Sequence, residues 1–168
     1  MEDLVQRAVG RDVAAFSQLA RAHQSQVRGL LLRLARGNHA LADDLAQETF
    51  LEAWRAIAAF RGDSAFSTWL YRIAYSRFLM HARKRKPDEQ LGEWNGTTAS
   101  GEGSALARID LERAFAKLAP AESAALTLCF ALGLSNTEAA AAMDIPLGTL
   151  KSHVLRGREK LKTILGEP

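Results

Sequence analysis

Ser135–Leu165 reads SNTEAAAAMDIPLGTLKSHVLRGREKLKTIL. Ser135 and Glu138 form the pattern S-x-x-E, in which side-chain oxygens take the free N–H groups of a helix start. A short Ala-rich helix therefore begins there. Met143-Asp144-Ile145 is a turn, and Pro146 starts the next helix where its missing N–H costs nothing. In that helix Leu147, Leu150, Val154, Leu161 and Leu165 share one side at about 100° per residue. The opposite side carries Gly148, Thr149, Ser152, Leu155 and Arg156, with Lys151 and Arg158 on one flank and His153 on the other. A short helix, a tight turn and a longer helix with a basic end make a helix-turn-helix pattern. Small polar groups and an Arg near a helix N-terminus suit a major groove, and the flanking cations suit phosphates. An ordinary helical bundle with a solvated basic face has the same pattern.

Working outward, nearly the whole chain reads as helix, so the expected fold is all-α. Asp12 is placed to cap a helix in which Val13, Phe16, Leu19, Ala20, Val27, Leu30, Leu31 and Leu34 keep to one face before Gly37. A second helix is expected from His39 to Ala59, with Leu41, Leu45, Thr49, Ala53 or Trp54, and Ile57 buried. Arg61-Gly62-Asp63-Ser64 is a break, and a third helix runs from Ser67 until Pro87 stops it. Residues 87–104, PDEQLGEWNGTTASGEGS, hold four Gly and no basic residue, the composition of a flexible linker. Fully extended, such a stretch reaches at most about 60 Å. Beyond it, helices are expected near Ala105 and from Pro120 to Gly133. The division is therefore two small helical domains, 1–86 and 105–168, around an acidic Gly/Ser-rich linker.

Charge follows the same division. The net +3 of this 168-residue chain hides 14 Lys/Arg against 8 Asp/Glu in residues 1–86, none against 4 in 87–104, and 8 against 7 in 105–168. Two basic segments around an acidic connector point to two contacts with a polyanion. Cys129 is the only cysteine, which excludes an internal disulfide and fits a reducing compartment. With no apolar leader and no 18-residue apolar span, a soluble cytoplasmic protein without membrane insertion is expected.

Phe60–Lys86 interleaves Phe66, Trp69, Tyr71, Tyr75 and Phe78 with Arg72, Arg77, Arg83, Lys84, Arg85 and Lys86. Ring faces beside phosphate-tracking cations are what single-stranded nucleic acid asks of a protein. Trp69, Leu70 and Ile73 have core spacing, which leaves Tyr75, Tyr71, Phe66 and the turn Gly62–Ser67 as the better base contacts. In the second helix Asp44, Glu48 and Glu52 stand at i, i+4 spacing with Asp43 and Gln47 beside them. They form either a solvated face or a surface for a basic partner helix. Chemistry has little support. His23, His39, His81 and His153 are scattered without metal-ligand spacing, and no phosphate-cradling glycine loop occurs. No catalytic residue, cofactor or metal is expected.

Taken together, DDLAQETFLEAW (Asp43–Trp54), FRGDSAFSTWLYRIA (Phe60–Ala74) and IPLGTLKSHVLRGREKL (Ile145–Leu161) resemble a bacterial RNA polymerase sigma factor of the extracytoplasmic-function (group 4) type. The resemblance implies a promoter-specificity subunit, with no catalysis of its own, that binds core polymerase and opens the −10 region. It places core docking on Asp43, Asp44, Gln47, Glu48, Glu52 and Trp54, against the coiled coil of the largest subunit, with a further contact to the flap of the second-largest. It places −10 recognition, duplex and single-stranded, on Arg61, Gly62, Asp63, Ser64, Phe66, Ser67, Trp69, Arg72, Tyr75, Arg83 and Lys84. It places −35 recognition on Ser135, Thr149, Lys151, Ser152, His153, Arg156 and Arg158. An anti-sigma factor is an implied partner. Ser67, Ser76, Asn136 and His153 depart from the family's usual residues at positions that bear on promoter sequence. A conventional helix-turn-helix regulator, or a sigma mimic that binds an anti-sigma factor, are the rival readings.

Overall fold

A computed structural model describes residues 1–85 and 104–166, and every described element is helical. The linker assigned to 87–104 lies outside the described residues apart from Ser104, as does Lys86. The first lobe opens with α1 (Glu2–Val9), which burial of Val5 and Ala8 holds down and which the sequence reading lacked. Asp12 caps α2 (Val13–Leu34), its Oδ1 accepting the Ala15 N–H at 3.1 Å, while Arg7 pairs with its other oxygen at 2.8 Å. Ala15, Leu19, Val27, Leu30, Leu31 and Leu34 are buried along α2. Val13, expected on that face, is 65% exposed at the first position of α2.

Asn38 caps α3 (His39–Ala56) through the Leu41 N–H, and the helix tightens into a 3₁₀ turn at Ile57–Ala59. Leu45, Thr49, Ala53 and Ile57 are buried as expected, while Ala42 takes the inner place expected of Leu41, which is only partly buried. Thr49 hides its hydroxyl by donating to the Leu45 carbonyl at 2.7 Å. α4 (Phe66–Lys84) then packs against α2 and α3.

The second lobe comprises α5 (Ser104–Ala116), α6 (Pro120–Leu126), α7 (Asn136–Met143) and α8 (Leu147–Leu165). α6 runs into a π-helical turn, Thr127–Ala131, that no sequence pattern announced. The capping box at Ser135 is present: its Oγ accepts the Glu138 N–H, and Glu138 accepts the Ser135 N–H, both at 3.1 Å. Asp144 ends α7 in the left-handed conformation, with φ 54°, and turns the chain into α8. Within α8, Leu150 and Gly157 are buried; Leu147 and Leu165, expected on the inner side, lie at the helix ends and are about two-fifths exposed. Half-buried Cys129 in the π turn donates to Asn136 Oδ1 at 3.6 Å, and burial pushes its thiol pKa up.

The lobes share a core. One buried cluster continues from Leu31 and Leu34 of α2, through Leu70, Tyr71, Ala74, Tyr75 and Phe78 of α4, to Leu128, Ala139, Ala140, Ala142 and Met143. Helix α7 packs on α4 as well as on α8. At the margin Arg33 crosses from α2: its Nε and Nη2 donate to Glu112 at 3.2 and 3.1 Å, and its guanidinium lies 4.3 Å from the Phe115 ring centre. A second cross-lobe pair, Arg72–Asp144, spans 3.5 Å.

Candidate nucleic-acid interface

The acidic face of α3 divides once its neighbours are in place. Arg28 pairs with Asp43 at 2.7 Å and Arg77 with Glu52 at 3.0 Å, so both carboxylates serve the lobe itself. Asp44, Gln47 and Glu48 are exposed, and neither acid has an ion pair among the described residues. Leu51, which the sequence reading passed over, is 56% exposed beside them. Trp54 is held in place: Phe16 packs on it at 5.2 Å between ring centres, and Arg11 lies over it at 4.2 Å while donating to its carbonyl. Phe16, Phe50, Leu51 and Trp54 line a groove of about 1090 Å³ between α2 and α3. An apolar groove edged by uncompensated acids suits a helix with an apolar stripe and basic flanks.

The break before α4 is a built loop. Phe60, Phe66 and Trp69 stack together at 5.2–6.1 Å between ring centres, and His23 meets Phe66 edge-on at 5.3 Å. These rings clamp both ends of the loop and leave Arg61, Gly62 and Asp63 exposed. Gly62 has φ 78°, which an L residue adopts only with strain, so the loop's shape needs glycine there. Ser64, Ser67 and Trp69 are partly exposed; Arg72, Arg83 and Lys84 are exposed. Phe66, Tyr71 and Tyr75 depart from expectation. At 8%, 4% and 6% exposure they are core residues, because α4 has neighbours on three sides. In this arrangement they present no ring face to a base.

On α8, Thr149, Lys151, Ser152 and Arg156 are exposed, as is Ser135 ahead of α7; Arg158, also exposed, lies on a flank with its guanidinium 5.8 Å from the Phe130 ring centre. Ser152 turns its hydroxyl back to the Gly148 carbonyl at 3.1 Å. His153 Nδ1 accepts from Arg156 at 2.9 Å; burial first and the Arg156 charge second lower its pKa, so it is a neutral ring near pH 7. Glu122, invisible as a site residue in the sequence, is almost wholly buried beneath this helix. It binds Lys160 at 2.9 Å and stands 3.7 Å from Arg156. Burial alone raises its pKa, but Lys160, the Ala119 N–H and Arg156 outweigh that and hold it below the ordinary value.

Comparison with known proteins decides what these surfaces belong to. The Sigma-70 region 2 family matches residues 19–87, and the Sigma-70 region 4 family matches residues 108–161. The RNA polymerase sigma-H factor of Pseudomonas aeruginosa is 34% identical, over 98% of this chain and 93% of that protein. The ECF RNA polymerase sigma-E factor of Haemophilus influenzae is 35% identical, over 95% and 92%. The chain belongs to the extracytoplasmic-function (ECF) sigma factors. Like them, this sigma factor gives RNA polymerase its promoter recognition. A Bartonella quintana sigma factor, RpoE, solved with the anti-sigma factor NepR, superposes with a TM-score of 0.80 at 27% identity, over 92% of this chain and 98% of that one. CnrH, solved with the cytosolic domain of CnrY, shares the fold at TM-score 0.74 and 24% identity. The region 2 match takes in the acidic face and the loop before α4; the region 4 match ends inside α8, past the last exposed cation expected in the groove. Among the described residues no helix is long and apolar enough to cross a membrane, and no cluster of three His, Cys, Asp or Glu could hold a metal ion.

Proposed function

We propose that three separate exposed surfaces divide the work of this sigma factor. The ridge of Asp44, Gln47, Glu48 and Leu51, with the Trp54 groove beside it, docks on the coiled coil of the largest core subunit. Asp43 and Glu52 shape that ridge through Arg28 and Arg77. The clamped loop Arg61–Ser64, with Ser67 and Trp69, captures a −10 base extruded from the duplex, and Arg72, Arg83 and Lys84 hold the phosphates around it. Taking a base out of the stack costs a few kcal/mol, and stacking on a ring returns about 1–3 kcal/mol. Thr149, Lys151, Ser152 and Arg156 read the −35 element, with Ser135 and Arg158 on its backbone. Neutral His153 neutralises no phosphate there and directs Arg156 instead.

The organisation that fits is a −10 and docking domain over 1–86, a connector over 87–104 and a −35 domain over 105–168 that also meets the flap of the second-largest subunit. The factor works in the cytoplasm and carries out no reaction itself. A partner of the anti-sigma class is supported by the full-length likeness to a sigma factor crystallised with one. The observation that carries the whole reading is that α3, the loop before α4, and α8 each leave outward-facing charged groups that the fold does not use.

Run-off transcription with core polymerase on a pool of genomic fragments tests the reading: promoter-specific transcripts are expected only when the factor is added. Glu48→Lys reverses one of the two uncompensated acids. It should weaken core binding by about tenfold while leaving the helical circular dichroism unchanged. Wild-type affinity in that variant would remove α3 from the docking surface.

A further inference from the structure

We propose that Glu122, buried beneath α8, is a positioning residue for promoter recognition: it orients the Arg156 guanidinium and so sets which base pair of the −35 element that side chain selects. The inference rests on the assignment of Arg156 to the −35 element, and it adds a residue of α6 that touches no DNA itself.

Burial makes Glu122 an anchor. Its side chain is 5% exposed, and a carboxylate in such a place is costly unless cations and N–H groups stay with it. It stands in the first turn of α6, where Oε2 accepts the Ala119 N–H at 3.2 Å, and Lys160 Nζ lies 2.9 Å from both oxygens. The backbone of α8 passes close over it: a Cβ at Gly157 would stand 3.5 Å from Glu122 Cβ. Arg156 and Lys160 are i, i+4 neighbours on α8, so both reach the one carboxylate.

The consequence for Arg156 lies in its fork. Nε faces Glu122 Oε1 at 3.7 Å, and Nη2 donates to His153 Nδ1 at 2.9 Å. Nε and Nη2 make one edge of the planar guanidinium, so that edge is turned to the protein and the Nη1–Nη2 end remains for a ligand. With His153 alone the plane could pivot about a single hydrogen bond; the carboxylate behind Nε supplies a second fixed point. A bidentate end held in one orientation matches the O6 and N7 acceptors of guanine in the major groove. An arginine free to swing would find phosphates and read no base. Because Glu122 also ties α6 to α8 through Lys160, a loss of stability alone would weaken every promoter sequence by the same factor.

The experiment uses the full-length factor with core polymerase on a promoter recovered from run-off transcription, and on its single base-pair replacements across the −35 element. Initiation on each template gives a preference profile. In the wild type one position should show a preference of about tenfold that Arg156→Ala abolishes. Glu122→Gln should flatten that same position to about threefold or less and leave the rest of the profile as it was. Glu122→Asp keeps the carboxylate but draws it back from α8; it should fall between, and it carries the test if Glu122→Gln does not fold. Glu122→Gln added to Arg156→Ala should change the profile no further, since the group it orients is gone. A folded Glu122→Gln that lowers initiation on every template by one factor overturns the proposal. So does flattening at a different position, or a full additional effect in the double variant. If Arg156→Ala leaves every position unchanged, the assignment of Arg156 to a base is lost and the role of Glu122 falls with it. If Arg156→Ala flattens a position and neither Glu122 variant does, the assignment stands and the positioning role is lost.

Discussion

Gly157 sets how closely α8 approaches α6. A Cβ built there would stand 2.8 Å from Leu126 Cδ1 and 3.5 Å from Glu122 Cβ. Leu126 is buried, and its Cδ1 must swing aside for any side chain at 157. Gly157→Val should therefore lose about 1–3 kcal/mol through overpacking, read as a lower urea midpoint at unchanged slope. Gly157→Ala sets a smaller clash against a gain of about 1 kcal/mol in helix propensity, and should fall near neutral. Nothing in the sequence around Gly157 announces this contact, because Leu126 and Glu122 are far away along the chain. Glu122 next door gives a pH test. Its folded carboxyl sits below its ordinary value of 4.5, so its contribution is fully present above that pH and is lost as pH falls through the folded value. Glu122→Gln should be less stable by about 1–2 kcal/mol at pH 7. That gap should close in acid, where the wild-type carboxyl is protonated too. A gap independent of pH would show that packing, not charge, makes the difference.

Among the elements, α7 tests how far local rules reach. Its capping box was legible as S-x-x-E and is made with both hydrogen bonds. Ser135→Ala should cost about 1 kcal/mol in thermal or urea unfolding. The helix-turn-helix, the break at Arg61–Ser64 and the buried stripe of α3 were equally readable, since each rests on spacing or turn chemistry within a few residues. Helix α4 was not. Periodicity tells which of its side chains share a face, but not how many neighbours the helix will have. With α2, α3 and α7 all against it, Phe66, Tyr71 and Tyr75 are inside, where the sequence placed them out. The split of the acidic row has the same origin: Arg28 and Arg77 come from other helices, and nothing in Asp43–Trp54 announces them. The π turn at Thr127–Ala131 is the one element for which no sequence pattern offers an account.

At the scale of the molecule, motifs gave two lobes, and packing makes them share a core. Leu128 lies fully buried in the cluster that both lobes build. Leu128→Ala should cost about 2–5 kcal/mol and lower a single calorimetric transition for the whole chain, with calorimetric and van't Hoff enthalpies in agreement. Two separated transitions, only one of them moved by the substitution, would mean that the lobes fold independently and that the shared cluster contributes little. The cross-lobe contacts of Arg33 and Arg72 have no local pattern and become visible only when both lobes are assembled.

Cys129 has a practical consequence at this scale. The thiolate is the form that attacks maleimides and iodoacetamides, and a half-buried sulfhydryl kept protonated offers little of it near neutrality. Cysteines engineered onto exposed α3 and α8 would react first, so fluorophore or spin-label pairs can be attached for distance measurements without replacing the native residue.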